Sequence, residues 1–173
     1  MLVTLTPHPD TPSTAVDRIE VDMERREDCV WLRYAVFGDV SRVLWPPATE
    51  PERADELWRH TCFEVFAPTE DGYREFNLSP SGAWASYRFD GYRSGMEAAD
   101  ERGQVLGLER TEAWVTLEAL VEAPAGAVCM GLSAVIEDVD GAISYWALAH
   151  PPGKPDFHHP DSFALTLPPP EPA

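Results

Sequence analysis

Residues 58–92 read WRHTCFEVFAPTEDGYREFNLSPSGAWASYRFDGY, and this stretch decides the fold. It holds three short runs of strand-forming residues, Thr61–Phe66, Tyr73–Leu78 and Ala83–Phe89, separated by two turn signals. Successive side chains of a strand point to opposite faces, so each run splits by parity. Cys62, Glu64 and Phe66 share one face of the first run, and Tyr73, Glu75 and Asn77 share one face of the second. In the third run the apolar pair Tyr87 and Phe89 is read as core, which sets Trp84, Ser86 and Arg88 with the acids. The expected result is a core wall of Phe63, Val65, Phe76, Leu78, Tyr87 and Phe89. The opposite surface of the same sheet then carries Glu64, Glu75, Asn77, Trp84, Ser86 and Arg88.

That surface combines carboxylates, an amide, a guanidinium and an aromatic plane. Carboxylate and amide groups pair with hydroxyls while an indole covers a sugar ring, so the set suits a polyhydroxylated ligand. The competing reading is a cross-strand ladder of ion pairs on a solvated sheet face. Two carboxylates on neighbouring strands also permit a glycosidase reading, which requires a raised pKa and a defined separation of the two groups.

Outward from this block the chain continues in the same style. Ala15–Glu24 alternates apolar and polar residues, with one slip in register between Val16 and Ile19 that leaves room for a bulge. Cys29–Phe37 is a strong strand, with Val30, Leu32, Tyr34 and Val36 on its core side. Glu50–Leu57 has a helix-favouring composition with Pro51 at a first-turn position, and reads as one or two helical turns on a surface connection. Gln104–Glu109 is a weak strand and Trp114–Val121 a clear one. Ala127–Glu137 and Ile143–Ala149 form a hairpin about the turn Asp138–Gly141, and Phe163–Leu167 is the last strand. Nine or ten short strands with Gly, Pro and Asp between them describe an all-β, antiparallel sandwich of jelly-roll type with little helix. Residues 1–15 read as an irregular arm or a first edge strand, 16–167 as a single sandwich domain, and 168–173 as a disordered proline-rich tail.

Composition narrows the functions. A chain of 173 residues fits one domain. Its net charge of −17 argues against a nucleic-acid partner, because phosphate contacts need an excess of Lys and Arg. Lys154 is the only lysine. There is no apolar run of the roughly 20 residues that a membrane-spanning helix needs, and no signal-peptide pattern, so a cytoplasmic location without membrane contact is expected. Cys29, Cys62 and Cys129 read as reduced, buried thiols. No metal site is expected, and the oligomeric state is not legible.

A second cluster lies at Tyr145–Phe163, YWALAHPPGKPDFHHPDSF, where His150, His158 and His159 stand among prolines with Lys154. Such a segment is irregular yet stiff, so it can hold side chains without a helix or strand. It reads as a rim over the pocket, or as a loop whose histidines cap backbone groups. A metal reading is weak, because adjacent His158 and His159 need an unusual backbone to meet on one ion.

The motifs WxxxCFEVF, YREFNLSPSGAWASYRFDGYR and ALAHPPGKPDFHHPDSF together resemble bacterial DOMON-like proteins, which are related to the family 9 carbohydrate-binding modules. The resemblance spans about Val16 to Leu167. It implies a jelly-roll β-sandwich and a bound sugar or haem without hydrolysis. Trp84 and Trp146 are its candidates for a sugar sandwiched between indoles. Met96, Met130 and the histidines offer the residue types of haem ligands. The expectation is therefore a non-catalytic module for a small ligand, with a sugar ahead of haem as the cofactor alternative and a hydrolase using Glu64 and Glu75 behind both. The expected ligand contacts are Glu64, Glu75, Asn77, Trp84, Arg88, Trp146, His150, His158 and His159.

Overall fold

The computed structural model describes residues 1–124 and 126–169, which hold strands, three single 3-10 turns and no α-helix. The first half of the chain supplies β1 (Leu2–Pro7), β2 (Val16–Arg25), β3 (Cys29–Gly38), β4 (Cys62–Thr69), β5 (Gly72–Leu78) and β6 (Trp84–Phe89). The second half supplies β7 (Glu97–Ala98), β8 (Gly103–Arg110), β9 (Trp114–Glu122), β10 (Cys129–Glu137), β11 (Ile143–Ala147) and β12 (Leu165–Thr166). Hydrogen-bonded neighbours run in the order β7-β6-β5-β4-β10-β11-β1-β2-β3-β9-β8, with β12 added to β10. All of these pairs are antiparallel.

The curled sheet folds into two layers because β1 changes partner along its length. Leu2–Leu5 pair with β2, whereas Thr6 and Pro7 pair with β11. Residues 2–7 thus form a strand and not an irregular arm, in keeping with the edge-strand alternative, and β1 borders both layers and joins them. Its place depends on residues more than a hundred positions away, so nothing local announces it.

The main core fills the space between the layers. One wall is Val30, Leu32, Tyr34 and Val36 of β3 with Val115, Leu117, Ala119 and Val121 of β9, all fully buried. The facing wall includes Phe63 and Val65 of β4 and Phe76 and Leu78 of β5. Tyr34 and Phe63 meet across the interface with ring centroids 4.8 Å apart. The Tyr34 hydroxyl donates to the Glu64 carbonyl at 3.1 Å, so this buried phenol keeps a partner. The expected bulge lies in β2, where the register with β3 shifts between Val16 and Arg18.

Two further expectations are corrected. Glu50–Leu57 forms no helical turns; the segment ends in one 3-10 turn, Leu57–Arg59, after Glu56 takes a left-handed backbone at φ 60. The start of the proline-rich tail is pinned, because Arg25 Nη1 donates to the Pro168 carbonyl at 3.0 Å. Residues 170–173 of that tail lie outside the described residues. Cys62 is buried as expected, while Cys29 and Cys129 are half-buried, and all three are free thiols.

Candidate functional site

The sheet formed by β4, β5, β6, β10 and β11 has a second covered face, turned away from the main core. Register decides which side chains reach it. Glu64 stands opposite Asn77 of β5 and Ser133 of β10, and Glu75 stands opposite Phe66 of β4 and Tyr87 of β6. Asn77 is in turn paired with Ala85. Glu64, Glu75, Asn77, Ala85, Tyr87 and Phe89 therefore share this face. The parity of the first two runs holds, but that of β6 is reversed.

Trp84, Ser86 and Arg88 consequently sit on the opposite side from the acids. Trp84 packs against the main core beneath the Arg53 guanidinium, whose Cζ lies 4.7 Å from the ring centroid. Ser86 accepts from Arg53 Nη2 at 2.9 Å, and exposed Arg88 pairs with Glu97. The physical reason for the reversal is that both sheet faces are covered. Tyr87 and Phe89 belong to a second apolar cluster with Phe66, Tyr73, Val135 and Phe157, so apolar character no longer marks the main core.

The remaining expected contacts also separate. Trp146 is 2% exposed in the main core, its indole N–H donating to Ser144 Oγ at 3.0 Å, so it cannot cover a ligand. His150 Nε2 donates to the Thr6 carbonyl at 2.8 Å and its ring packs edge-on to His8, away from the acids. His159 caps the turn Pro160–Ser162, accepting from the Asp161 N–H at 3.2 Å. Only His158 of the three comes to the acidic face. Met130 is fully buried in the main core.

Over this face lies a cavity of about 530 Å3. Glu64, Glu75 and His158 reach it among Trp58, Phe89, Tyr145 and Phe157, with Arg93, Met96 and Lys154 also on its lining. The proline-rich segment supplies Lys154, Pro155, Phe157 and His158, as a rim over the pocket would. The sequence signal for Tyr73 was its parity with Glu75. Trp58, at the start of the decisive stretch, and Arg93, just past its end, carried no periodic signal and had to be placed by the fold.

Both carboxyls are almost fully buried, at 3% and 4% exposure. Ser133 Oγ lies 3.5 Å from Glu64 Oε2. Asn77 Nδ2 donates to Glu75 Oε1 at 2.8 Å, while its own oxygen faces the Cys62 thiol at 3.7 Å. Asn77 is wholly buried and holds Glu75 in place from below. Burial, and then the charge of Glu75, push the Glu64 carboxyl well above the ordinary carboxylate range. Burial raises Glu75 to about 7, with the Asn77 hydrogen bond and the Arg93 charge opposing it.

His158 is oriented by a chain of hydrogen bonds. The Arg93 backbone N–H donates to the Tyr73 hydroxyl at 3.2 Å, and that hydroxyl lies 2.7 Å from His158 Nδ1. Burial and the Arg93 charge lower the imidazole pKa to about 4, so the ring is neutral near pH 7. Nδ1 then accepts from Tyr73, and the ring proton resides on Nε2. Nε2 lies 3.7 Å from Glu75 Oε2, too far for a direct hydrogen bond.

Asp156 anchors the rim. It accepts from Arg93 Nη2 at 2.9 Å and from the His158 N–H at 3.1 Å, and it also accepts from the Tyr92 hydroxyl. Burial alone would raise its pKa, but the hydrogen bonds from Tyr92 and Arg93 outweigh that and hold it below the usual value. Among the described residues no three His, Cys, Asp or Glu side chains are grouped as metal ligands would be. Nor is any helix among them long and apolar enough to cross a membrane.

Fold and pocket define the chain as an antiparallel β-sandwich protein with an acidic, aromatic-lined cavity on an outer sheet face. No protein-family model matches it, and no curated protein or solved structure matches it either.

Proposed function

We propose that this protein binds a small polyhydroxylated ligand, a monosaccharide or a short glycan fragment, in the Glu64–Glu75 cavity. The observation that carries this reading is a floor of buried hydrogen-bonding groups beneath aromatic walls. Glu64 and Glu75 offer acceptors and a carboxyl proton, and His158 Nε2 offers a donor, so vicinal hydroxyls find both halves of each hydrogen bond. Trp58 and Tyr145 present flat apolar rings to the non-polar face of a sugar. The resemblance to DOMON-like proteins and family 9 carbohydrate-binding modules supports the same ligand class. Glycoside cleavage is less well supported, because both carboxyls project from one wall and do not flank a bond from two sides.

Calorimetric titration with a panel of mono- and disaccharides tests the reading. At least one sugar is expected to give a saturable isotherm, and Trp58→Ala to weaken it tenfold or more, about 1.4 kcal/mol. Trp84→Ala, on the opposite face, serves as the control and is expected to leave affinity within twofold. A wild-type protein that binds no sugar would sink the proposal.

Haem fits these residues poorly. Met130 is enclosed in the main core, and His158, which shares the pocket with Met96, has one nitrogen on Tyr73 and the other turned to Glu75. A porphyrin would also lay its apolar plane on two buried carboxyls. Incubation with hemin is expected to produce no Soret band shifted from that of free hemin; a shifted, stoichiometric band would restore the haem reading.

A further inference from the structure

The acidic floor holds more chemistry than binding alone requires. Glu64 and Glu75 extend from the same face of adjacent strands as diagonal neighbours, since Glu64 pairs with Asn77, two residues beyond Glu75. Diagonal neighbours lie roughly 7 Å apart at Cα, within reach of two atoms of one small molecule. Both groups approach a ligand from the same side. That arrangement suits a reaction whose acid and base act on two oxygens bound to a single carbon.

We infer that the pocket interconverts the anomers of a reducing sugar, with Glu75 and Glu64 as the acid–base pair acting on the anomeric hydroxyl and the ring oxygen. The inference rests on the sugar-binding reading of this same pocket. In the forward step the Glu75 carboxylate takes the proton from the hydroxyl on the anomeric carbon. The bond from that carbon to the ring oxygen breaks, its electron pair moves onto the ring oxygen, and Glu64 delivers its proton there. The product is the open-chain aldehyde, with Glu75 protonated and Glu64 ionised. Rotation about the bond next to the carbonyl turns its other face to the chain hydroxyl. Glu64 then removes the hydroxyl proton, the ring closes, and Glu75 returns its proton to the carbonyl oxygen. Both groups end as they began, and no oxidant, reductant, metal or cofactor is consumed.

The protonation states match these roles. Burial and the charge of Glu75 favour the protonated form of Glu64, the acid, whereas Glu75, the base, titrates at about 7. A base whose pKa lies close to the working pH is the most effective. Glu75 Oε2 and His158 Nε2 stand 3.7 Å apart, so a hydroxyl oxygen in front of the pair can contact both, and His158 then holds that oxygen toward the base.

Polarimetry on freshly dissolved α-D-glucopyranose and other pure-anomer aldohexoses, run beside calorimetry on the same sugars, is the test. For a sugar that binds, equilibration is expected to run at least about a hundredfold faster than the spontaneous rate. Glu75→Gln and Glu64→Gln are expected to return it to background, even at sugar concentrations raised to saturate the weakened site, while keeping the circular dichroism of a folded sandwich. Spontaneous-rate equilibration of every sugar that binds would overturn this inference and leave the binding reading intact. The absence of any isotherm would overturn both.

Discussion

Replacing Trp146 with alanine is expected to lower the free energy of unfolding by about 3–5 kcal/mol, the usual cost of removing a large aromatic from a close-packed interior. The side chain is 2% exposed and packs in the main core. Its strand position pairs with Ala134 of β10 on one side and with Pro7 of β1 on the other. That is the joint at which β1 passes from one layer to the next, so the cavity would open where the two layers are connected. The substitution would also leave Ser144 Oγ, itself buried, without its indole donor. A domain's whole stability is about 5–15 kcal/mol, so the loss is a large share of it. Urea denaturation followed by circular dichroism measures the effect, read against Trp58→Ala. Trp58 is only half-buried on the pocket lining and is expected to cost less than half as much. Equal stabilities for the two variants would contradict the division of the tryptophans between core and pocket.

Glu75→Gln is expected to change the pH dependence of stability rather than its level at low pH. The folded carboxyl titrates at about 7 against an ordinary value of 4.5. Between those values the folded chain binds more proton than the unfolded one, so folding is favoured by acid. The contribution is complete below pH 4.5 and is lost as pH rises through about 7, by on the order of 3 kcal/mol. Glu64, raised by burial and by the Glu75 charge, acts in the same direction. His158 acts in the opposite one: its pKa falls from 6.5 to about 4, so its contribution is present above pH 6.5 and disappears toward pH 4. The variant keeps His158, so the difference between the two proteins isolates the carboxyls. Asn77 Nδ2 can still donate to the glutamine oxygen, which keeps the local geometry. Melting curves between pH 5 and 8 should show the variant gaining on the wild type as pH rises, by up to about 3 kcal/mol. A difference independent of pH would mean that Glu75 ionises as freely in the fold as in the unfolded chain.

Most of the strand plan is legible in residues 58–92 and in the stretches on either side. The alternation of Cys29–Phe37 yields the buried face of β3, and the slip between Val16 and Ile19 marks the bulge in β2. The turn at Asp138–Gly141 gives the β10–β11 hairpin, with Asp138 N–H donating to the Ala142 carbonyl at 2.8 Å. The two acids that dominate the pocket, together with Asn77 and Tyr73, were placed on one face by parity alone. Alternation repeats every two residues, so it states which side chains share a face with certainty of geometry and little else.

What alternation could not state is which layer each face meets. In β6 both faces are covered, so Tyr87 and Phe89 answer equally well to the main core or to the pocket cluster; only pairing of Glu75 with Tyr87 settles it. The two tryptophans show the same division. Trp146 lies in a strand and Trp58 in the 3-10 turn Leu57–Arg59, and their roles follow from contacts with distant segments that leave no local period. By itself the sequence determined most of the strands, which side chains of each share a face, and the acids of the site. The tertiary structure alone decided that β1 joins the layers, that Trp58 rather than Trp146 lines the cavity, and that the proline-rich segment brings His158 to Glu75. Long-range pairing is responsible, because it converts a choice of face into a choice of neighbour.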